Sequence, residues 1–235
     1  MKNAVITGAS SGIGRALAVQ MHREGFRVLG VGRDTEALKA LQSSLGEGFD
    51  FITCDLRNLN CIDEIASRVS ASHTPLDILV NNAGYGSTRK LLEETPEEVV
   101  GMTLVNLVAP ILLVKGLLPY MRSGSVVVNV ATAGIHVLMT QLPLYGATKI
   151  ALHYASEALR RELAEKDIHL VEVLPGVVKT KFHARAGSQD PRHGATPEEA
   201  AREIMKAIMQ RKKRVYIPWY LGLLRLLGPH LPALY

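Results

Sequence analysis

The sequence predicts a single α/β domain, in which helices cover both faces of a doubly wound sheet of seven parallel strands. Short apolar segments alternate with longer segments of helical periodicity, a pattern typical of parallel strands joined by crossover helices. The run Val126-Val127-Val128-Asn129-Val130 is almost uniformly apolar, as expected of a strand covered on both faces. A chain of 235 residues, 47% of them hydrophobic, is long enough to bury one such core.

The order of the elements follows from the same periodicity. The predicted strands are residues 3–6, 27–31, 49–54, 76–80, 125–130, 168–174 and 214–217. The predicted helices are residues 12–24, 35–45, 58–70, 97–121, 145–165 and 197–210. Ligands of such a sheet bind at the carboxyl ends of the strands, where we expect the functional residues.

Several element boundaries carry local signals. Gly25 ends the first helix, Asp34 caps the second, and Pro96 opens the fourth. We predict a break or kink near Pro110, because proline lacks the backbone N–H that a helix needs. Residues 176–195 show no periodicity and predict a mobile loop.

A glycine-rich turn, TGASSGIG at residues 7–14, links the first strand to the first helix. Gly8, Gly12 and Gly14 let the backbone approach a phosphate closely, since no Cβ stands in the way. The helix adds unpaired N–H groups and the positive end of its dipole. The turn therefore predicts a pyrophosphate site, with a purely structural turn as the alternative.

Composition argues against several classes of protein. The net charge is +5, but the basic residues are scattered except for the run at residues 211–214. No aromatic residues interleave with that run, so we interpret it as a solvated turn and predict no nucleic-acid partner. Cys54 and Cys61 are expected to be isolated thiols, which suits a reducing compartment, and no metal site is predicted. We expect no signal peptide, because the first strand begins by residue 3 or 4, and no membrane span, because about 18 uninterrupted apolar residues are lacking. We therefore predict a cytoplasmic protein.

Four motifs occur in a fixed order along the chain: TGASSGIG at 7–14, NNAG at 81–84, YGATK at 145–149 and PGVVKT at 175–180. Together they resemble the short-chain dehydrogenase/reductase family, in its compact single-domain branch. The resemblance covers about residues 2–217. It implies a Rossmann fold, hydride transfer to or from a nicotinamide, and a homodimer or homotetramer.

Tyr145 and Lys149 are four residues apart, which places both on one face of a helix. Reduction of a carbonyl by hydride leaves an alkoxide, so a positioned acid must supply a proton. A nearby ammonium favours phenolate and is expected to lower the pKa of the Tyr145 phenol. An ordinary surface pair is the alternative, but the resemblance implies that Tyr145 is the general acid and base and that Lys149 also holds the nicotinamide ribose.

Two further catalytic residues are implied by the resemblance. The family places a serine 13 residues before the tyrosine, and this chain has Thr132 there. Threonine keeps the hydroxyl but adds a methyl group, so we expect a working substitute, with a weakened carbonyl clamp as the alternative. Asn106 would hold a water in a proton relay through Lys149, with a structural role as the alternative.

The end of the second strand indicates which nicotinamide cofactor is bound. An enzyme that uses NAD places a carboxylate there, whereas this chain has Gly32 followed by Arg33. A guanidinium can pair with the 2′-phosphate of NADP, with Arg15 close by. We therefore expect NADP(H) rather than NAD(H), and attribute Asp34 to helix capping.

The remaining cofactor contacts are implied by the resemblance alone. Asp55 would accept from the adenine amino group, Leu56 would flank the ring, and Thr180 would reach the nicotinamide carboxamide. The full predicted set is Gly8, Ser10, Ser11, Gly12, Ile13, Gly14, Arg33, Asp55, Leu56, Asn82, Ala83, Gly84, Tyr145, Lys149, Pro175, Gly176, Val178 and Thr180.

The variable segments near the expected site are apolar, notably residues 135–143 together with Val178 and Phe182. They favour a lipophilic ketone, aldehyde or secondary alcohol as substrate over a sugar. Residues 1–217 form the predicted dinucleotide-binding and catalytic domain, and residues 218–235 form an apolar extension. The extension is expected to be a lid or subunit contact rather than a membrane-surface segment. The competing class is a non-catalytic NADP-binding sensor or scaffold, which only Thr132 supports.

Overall fold

Seven parallel strands form one sheet in the order β3-β2-β1-β4-β5-β6-β7 in the computed structural model, which describes residues 1–189 and 191–227. The strands are β1 (Lys2–Thr7), β2 (Phe26–Gly32), β3 (Phe49–Thr53), β4 (Leu76–Asn81), β5 (Met121–Val130), β6 (His169–Pro175) and β7 (Arg214–Ile217). The strand order reverses between β1 and β4, so a ligand crevice lies at the carboxyl edge there. The predicted doubly wound Rossmann architecture is confirmed.

Helices lie on both faces of this sheet. They are α1 (Gly12–Arg23), α2 (Thr35–Leu45), α3 (Asn60–Ser72), α4 (Pro96–Thr103), α5 (Ala109–Leu117), α6 (Pro143–Ala164), α7 (Phe182–Ala186), α8 (Pro197–Met209) and α9 (Leu224–Leu227). Successive strand side chains point to opposite faces: Ala4 and Ile6 of β1 enter one core, and Val5 enters the other. All three are fully buried, which explains why the strands are apolar throughout.

Capping side chains fix the starts of two helices. The Asp34 carboxylate accepts a hydrogen bond from the Ala37 N–H at 3.0 Å, as predicted. At α8 the Thr196 hydroxyl accepts from the Glu199 N–H, while the Glu199 carboxylate accepts from the Thr196 N–H. Both arrangements satisfy N–H groups that a helix start leaves unpaired.

The long helix predicted at 97–121 is interrupted earlier than expected. A π-helical turn spans Leu104–Val108 between α4 and α5, and α5 follows it without a break at Pro110. Pro110 cannot donate to the carbonyl four residues before it, and a widened turn accommodates that loss. The turn carries Asn106, so the irregularity lies at a candidate functional residue.

The helical stretch Pro96–Tyr120 is long and apolar enough to cross a membrane, judged by length and composition only. In the fold, its inner face packs into the core beside β4 and β5 through residues such as Val105, Leu113 and Leu117. The apolar composition of this stretch is therefore that of a core helix.

The segment predicted as an unstructured loop contains regular structure. Residues Phe182–Ala186 form α7, and Val178 pairs with Ala195 in an isolated parallel bridge. A helix of five residues is too short to show a helical period in the sequence.

Cys54 and Cys61 are joined as a disulfide, with Cα atoms 6.0 Å apart, so the prediction of isolated thiols is wrong. Cys54 follows β3, and the tight turn after it returns the chain to Cys61 at the start of α3. The sequence spacing gave no sign of this return. Disulfides are rare in the cytosol, so these cysteines do not support a reducing compartment.

Candidate active site

A cavity of about 760 Å³ opens at the carboxyl edge of the sheet. Its wall is formed by the glycine-rich turn and by the segments that follow β2, β3, β4, β5 and β6. Every predicted cofactor residue except Gly14 lines this cavity, and so do Tyr145, Lys149 and Thr132. Gly14 and Asn106 lie behind the wall.

The glycine-rich turn has the backbone that a phosphate cradle needs. Gly8 and Gly12 have φ values of +70° and +55°, which residues with a Cβ rarely adopt. A Cβ on Gly12 would lie 3.0 Å from Thr180 Cγ2, and one on Gly8 would lie 2.8 Å from the Asn82 amide. Gly14 packs against the Gly8 backbone and lets α1 approach the turn. A Cβ at any of these positions would meet other parts of the protein. Gly8 and Gly12 also line the cavity, which fits a bound dinucleotide.

Thr7 ties the first two motifs together, a role that the sequence did not reveal. Its hydroxyl accepts hydrogen bonds from the N–H groups of Asn82 and Ala83, both at 3.0 Å. The Asn82 amide donates to the Thr7 carbonyl at 2.9 Å. The NNAG segment at 81–84 is therefore fixed beside the glycine-rich turn.

Tyr145 and Lys149 lie one turn apart at the start of α6, and both are buried. The Lys149 ammonium donates to the Val130 carbonyl at 2.7 Å and lies 5.8 Å from the centre of the Tyr145 ring. Burial lowers the pKa of Lys149 to about 8. Burial also raises the pKa of Tyr145 above its usual value, although a hydrogen bond with Thr132 acts in the opposite direction.

The expected lowering of the pKa of Tyr145 by Lys149 is therefore wrong for the structure as described. Burial of the phenol outweighs the opposite effect of Thr132, and burial disfavours the charge on the Lys149 amine as well. In this state the phenol keeps its proton at neutral pH.

Thr132 follows β5 and stands beside Tyr145 in the cavity wall. Its hydroxyl donates to the Pro175 carbonyl and accepts from the Gly134 N–H, both at 3.2 Å. The hydroxyl thus joins the β5 and β6 ends of the site.

Asn106 is fully buried in the π-helical turn. Its amide oxygen accepts from the Tyr85 N–H at 3.1 Å, and its amide nitrogen donates to the Tyr85 carbonyl and the Thr148 hydroxyl. A Cβ on Gly84 would lie 3.1 Å from the Asn106 Oδ1 and 3.3 Å from the Lys149 Nζ. The missing side chain of Gly84 therefore leaves a small gap between these two polar atoms.

The end of the cavity near Asp55 and Ser11 carries more cations than predicted. Arg33 is exposed and lies 3.7 Å from the Asp55 carboxylate, whereas Arg57 pairs with the same carboxylate at 2.6 Å. Desolvation raises the pKa of Asp55, but the hydrogen bonds from Arg57 outweigh it and lower the pKa below its usual value. Arg185 of α7 donates to the Ser11 hydroxyl at 3.1 Å. The motifs gave no indication of the contacts made by Arg57 and Arg185.

One cluster of potential metal ligands exists among residues 1–189 and 191–227: His153, Glu157 and Glu172, with ligand atoms within 4.8 Å of one another. The Arg214 guanidinium already pairs with Glu157 at 2.6 Å and with Glu172 at 3.0 Å. A guanidinium therefore occupies the position that a cation would take, and the expectation of no metal stays a prediction.

Residues 2–191 match the short chain dehydrogenase family, and the chain belongs to this family. The chain is 32% identical over 221 residues to a fatty acyl-CoA reductase of Acinetobacter baylyi, covering 91% of this chain and 75% of that protein. A metagenomic short-chain oxidoreductase in complex with NADP superposes with a TM-score of 0.79 at 28% identity, covering 92% and 96% of the two chains. A short-chain dehydrogenase/reductase of Burkholderia phymatum in complex with NAD has a TM-score of 0.88 at 22% identity, covering 99% and 94%. The protein is thus an oxidoreductase of the nicotinamide-dependent Rossmann type.

The burial of Lys149 predicts a particular pH dependence of stability. Its pKa of about 8 in the folded protein lies below the usual 10.5, so the unfolded chain binds the proton more tightly between these pH values. The free energy of unfolding of the wild type should therefore rise relative to Lys149→Met as the pH increases from 8 to 10.5, by about 3 kcal/mol. Urea unfolding across this range measures the difference. Replacing the exposed Lys166 by Met controls for loss of a charge, and parallel curves for wild type and Lys149→Met would contradict the assignment.

Proposed function

We propose that the protein transfers a hydride between NADP(H) and a lipophilic ketone, aldehyde or secondary alcohol, with Tyr145 as the general acid and base. The observation that carries this proposal is the convergence of Tyr145, Thr132 and Lys149 on one cavity whose other end is the glycine cradle. A non-catalytic NADP-binding sensor or scaffold is the alternative.

The residues around the cavity fit a dinucleotide. The backbone of Gly8 and Gly12 would face the pyrophosphate, Asp55 and Leu56 the adenine, and Thr180 the nicotinamide carboxamide. When bound, the nicotinamide supplies or accepts the hydride.

The protonation states of the free protein suit a reductase. Burial raises the pKa of Tyr145, so the phenol holds the proton that a developing alkoxide needs. Lys149, with its pKa lowered to about 8, can carry or release a proton near neutral pH. Asn106 lies across the gap beside Gly84 from Lys149, which supports its proposed place in the relay. The Asn106 contacts with Tyr85 and Thr148 equally support the structural alternative.

Thr132 takes the place of the serine in this proposal. Thr132 lines the cavity with Tyr145, and its hydroxyl bonds with the Pro175 carbonyl and the Gly134 N–H, so it can turn from the Pro175 carbonyl to a substrate oxygen. The added methyl group leaves this hydroxyl in place.

The polar surroundings of the second strand support NADP(H) over NAD(H). No carboxylate follows β2 directly, the Arg33 guanidinium is exposed, and the Asp34 carboxylate is committed to capping α2. Arg15 lines a second groove beside Ser11 and Gly12. The relative bound to NADP supports this preference, while the more distant one bound to NAD shows that the fold accepts both cofactors.

Apolar side chains around Tyr145 support a lipophilic substrate. Met139, Leu142 and Phe182 line the cavity, and the Phe182 ring centre lies 5.1 Å from that of Tyr145. The related fatty acyl-CoA reductase acts on a lipid-derived compound according to its name, which agrees with this choice.

We further propose a cytoplasmic homodimer or homotetramer. Exposed apolar side chains on α4 and α6, namely Val99, Val100, Ile150 and Tyr154, support an interface between copies. The proposed use of NADP(H), which is available inside the cell, supports the cytoplasmic location.

Substitutions at Thr132 and Tyr145 test the chemical proposal. Thr132→Ser should keep most of the NADPH oxidation with hydrophobic ketones and aldehydes, whereas Thr132→Val should lose about 100-fold, since it removes one oxygen-positioning donor. Tyr145→Phe should lose about 100-fold or more, because it removes the acid. NADPH fluorescence titration controls for cofactor binding. Wild-type activity in the Val variant would exclude Thr132 from the reaction, and cofactor binding without turnover across a broad panel would favour the sensor.

Arg33 sets the preference between the two cofactors in this proposal. Arg33→Ala should raise the KM for NADPH about tenfold and leave the KM for NADH nearly unchanged, because only NADPH carries the 2′-phosphate. Lys39→Ala is the matched control, because it removes an exposed cation that lies nearby on α2. A wild-type preference for NADH would overturn this assignment.

A further inference from the structure

Exposed apolar side chains lie on the C-terminal extension and on the two segments, after β5 and after β6, that also form part of the cavity wall. The described part of the C-terminal extension forms a 3-10 turn, Trp219–Leu223, followed by α9. Trp219 is 78% exposed and Leu226 is 73% exposed. We call the following set the apolar rim: Leu138, Val177, Trp219, Tyr220, Leu223, Leu226 and Leu227, all of them exposed.

The rim is held against the cavity wall. Leu221 packs directly on Gly176, which lines the cavity, and Gly222 packs against the Tyr216 ring. The Tyr216 hydroxyl is within 3.0 Å of the His136 ring nitrogen in the turn after β5. None of residues 218–227 lines the cavity itself. The extension therefore stands beside the opening, which does not support a lid formed by these residues.

The stretches of sequence that carry the rim residues are poor in carboxylates. Residues 131–143, 176–189 and 204–235 contain no Asp or Glu, although the whole chain has 22, and Asp190 and Glu203 flank these stretches. Arg225 is exposed between the rim residues Leu223 and Leu226, and Lys179, Lys181 and Arg185 are exposed in the segment after β6, with Arg185 in α7. A second copy seated symmetrically on this face would bring like charges together. An anionic surface would instead complement them.

We propose that the apolar rim docks on an anionic lipid bilayer, so that the cavity mouth faces the membrane. Tryptophan and tyrosine favour the boundary between lipid and water, and exposed leucines insert below it. Each basic group near an anionic bilayer adds to the attraction. A lipophilic carbonyl dissolved in the bilayer then enters the cavity without crossing water. This last step rests on the proposed function, whereas the docking does not.

Flotation of the full chain with lipid vesicles tests the docking. The protein should float with phosphatidylcholine vesicles that contain phosphatidylglycerol, and less with phosphatidylcholine alone or at high salt. Two matched pairs locate the contact: Leu226→Ser against Met209→Ser, and Arg225→Glu against Lys212→Glu. Met209 is 63% exposed, and both control residues lie just before β7, at the opposite edge of the sheet. The rim variants should bind the vesicles about tenfold more weakly, and the controls should match the wild type.

Three results would overturn the proposal: no flotation of the wild type, equal losses in rim and control variants, or a change in solution mass in the rim variants alone. The last result would show that a second copy covers the rim. Neither cofactor nor substrate is present in this assay. Turnover of a water-soluble aldehyde without flotation would therefore overturn the docking alone, and flotation without turnover would overturn the proposed function alone.

Discussion

Burial of two ionisable side chains, Tyr145 and Lys149, is the constraint on which the rest of the site depends. Both side chains are buried in the cavity wall, and burial raises the pKa of the phenol and lowers the pKa of the amine. Such groups are costly to bury unless they have partners. The Val130 carbonyl accepts a hydrogen bond from Lys149, and the nearby Thr132 hydroxyl lowers the pKa of Tyr145 against the effect of burial. The site therefore holds protons in defined places, which is the requirement for acid and base chemistry.

The fold supplies these partners from separate parts of the chain. Thr132 and the Val130 carbonyl come from the end of β5, Pro175 from the end of β6, and Asn106 from the π-helical turn. Parallel strands bring these ends to one edge. Thr7 joins the glycine-rich turn to the segment that contains Gly84. The glycine-rich turn is therefore connected through Gly84 to Asn106 and Lys149.

Features with a strong local pattern could be predicted from the sequence, and features that depend on distant contacts could not. Apolar periodicity predicts the strands, and the spacing of the glycines predicts the glycine-rich turn. The disulfide of Cys54, the π-helical turn and the contacts of Arg57 and Arg185 depend on how the chain folds back. The predicted direction of the Tyr145 pKa shift is wrong. The four-residue spacing indicates that the Lys149 amine is near, but it does not indicate how deeply the phenol is buried.

The fate of a deuterium label tests most directly whether Tyr145 supplies the proton during hydride transfer. A hydrophobic ketone is incubated with NADPH deuterated at both hydrogens of nicotinamide C4, and the alcohol is examined by mass spectrometry. We predict that wild-type protein places the label on the carbinol carbon and that Tyr145→Phe forms almost no labelled alcohol. Label transfer at an unchanged rate in the Phe variant, or an alcohol without the label, would contradict this prediction.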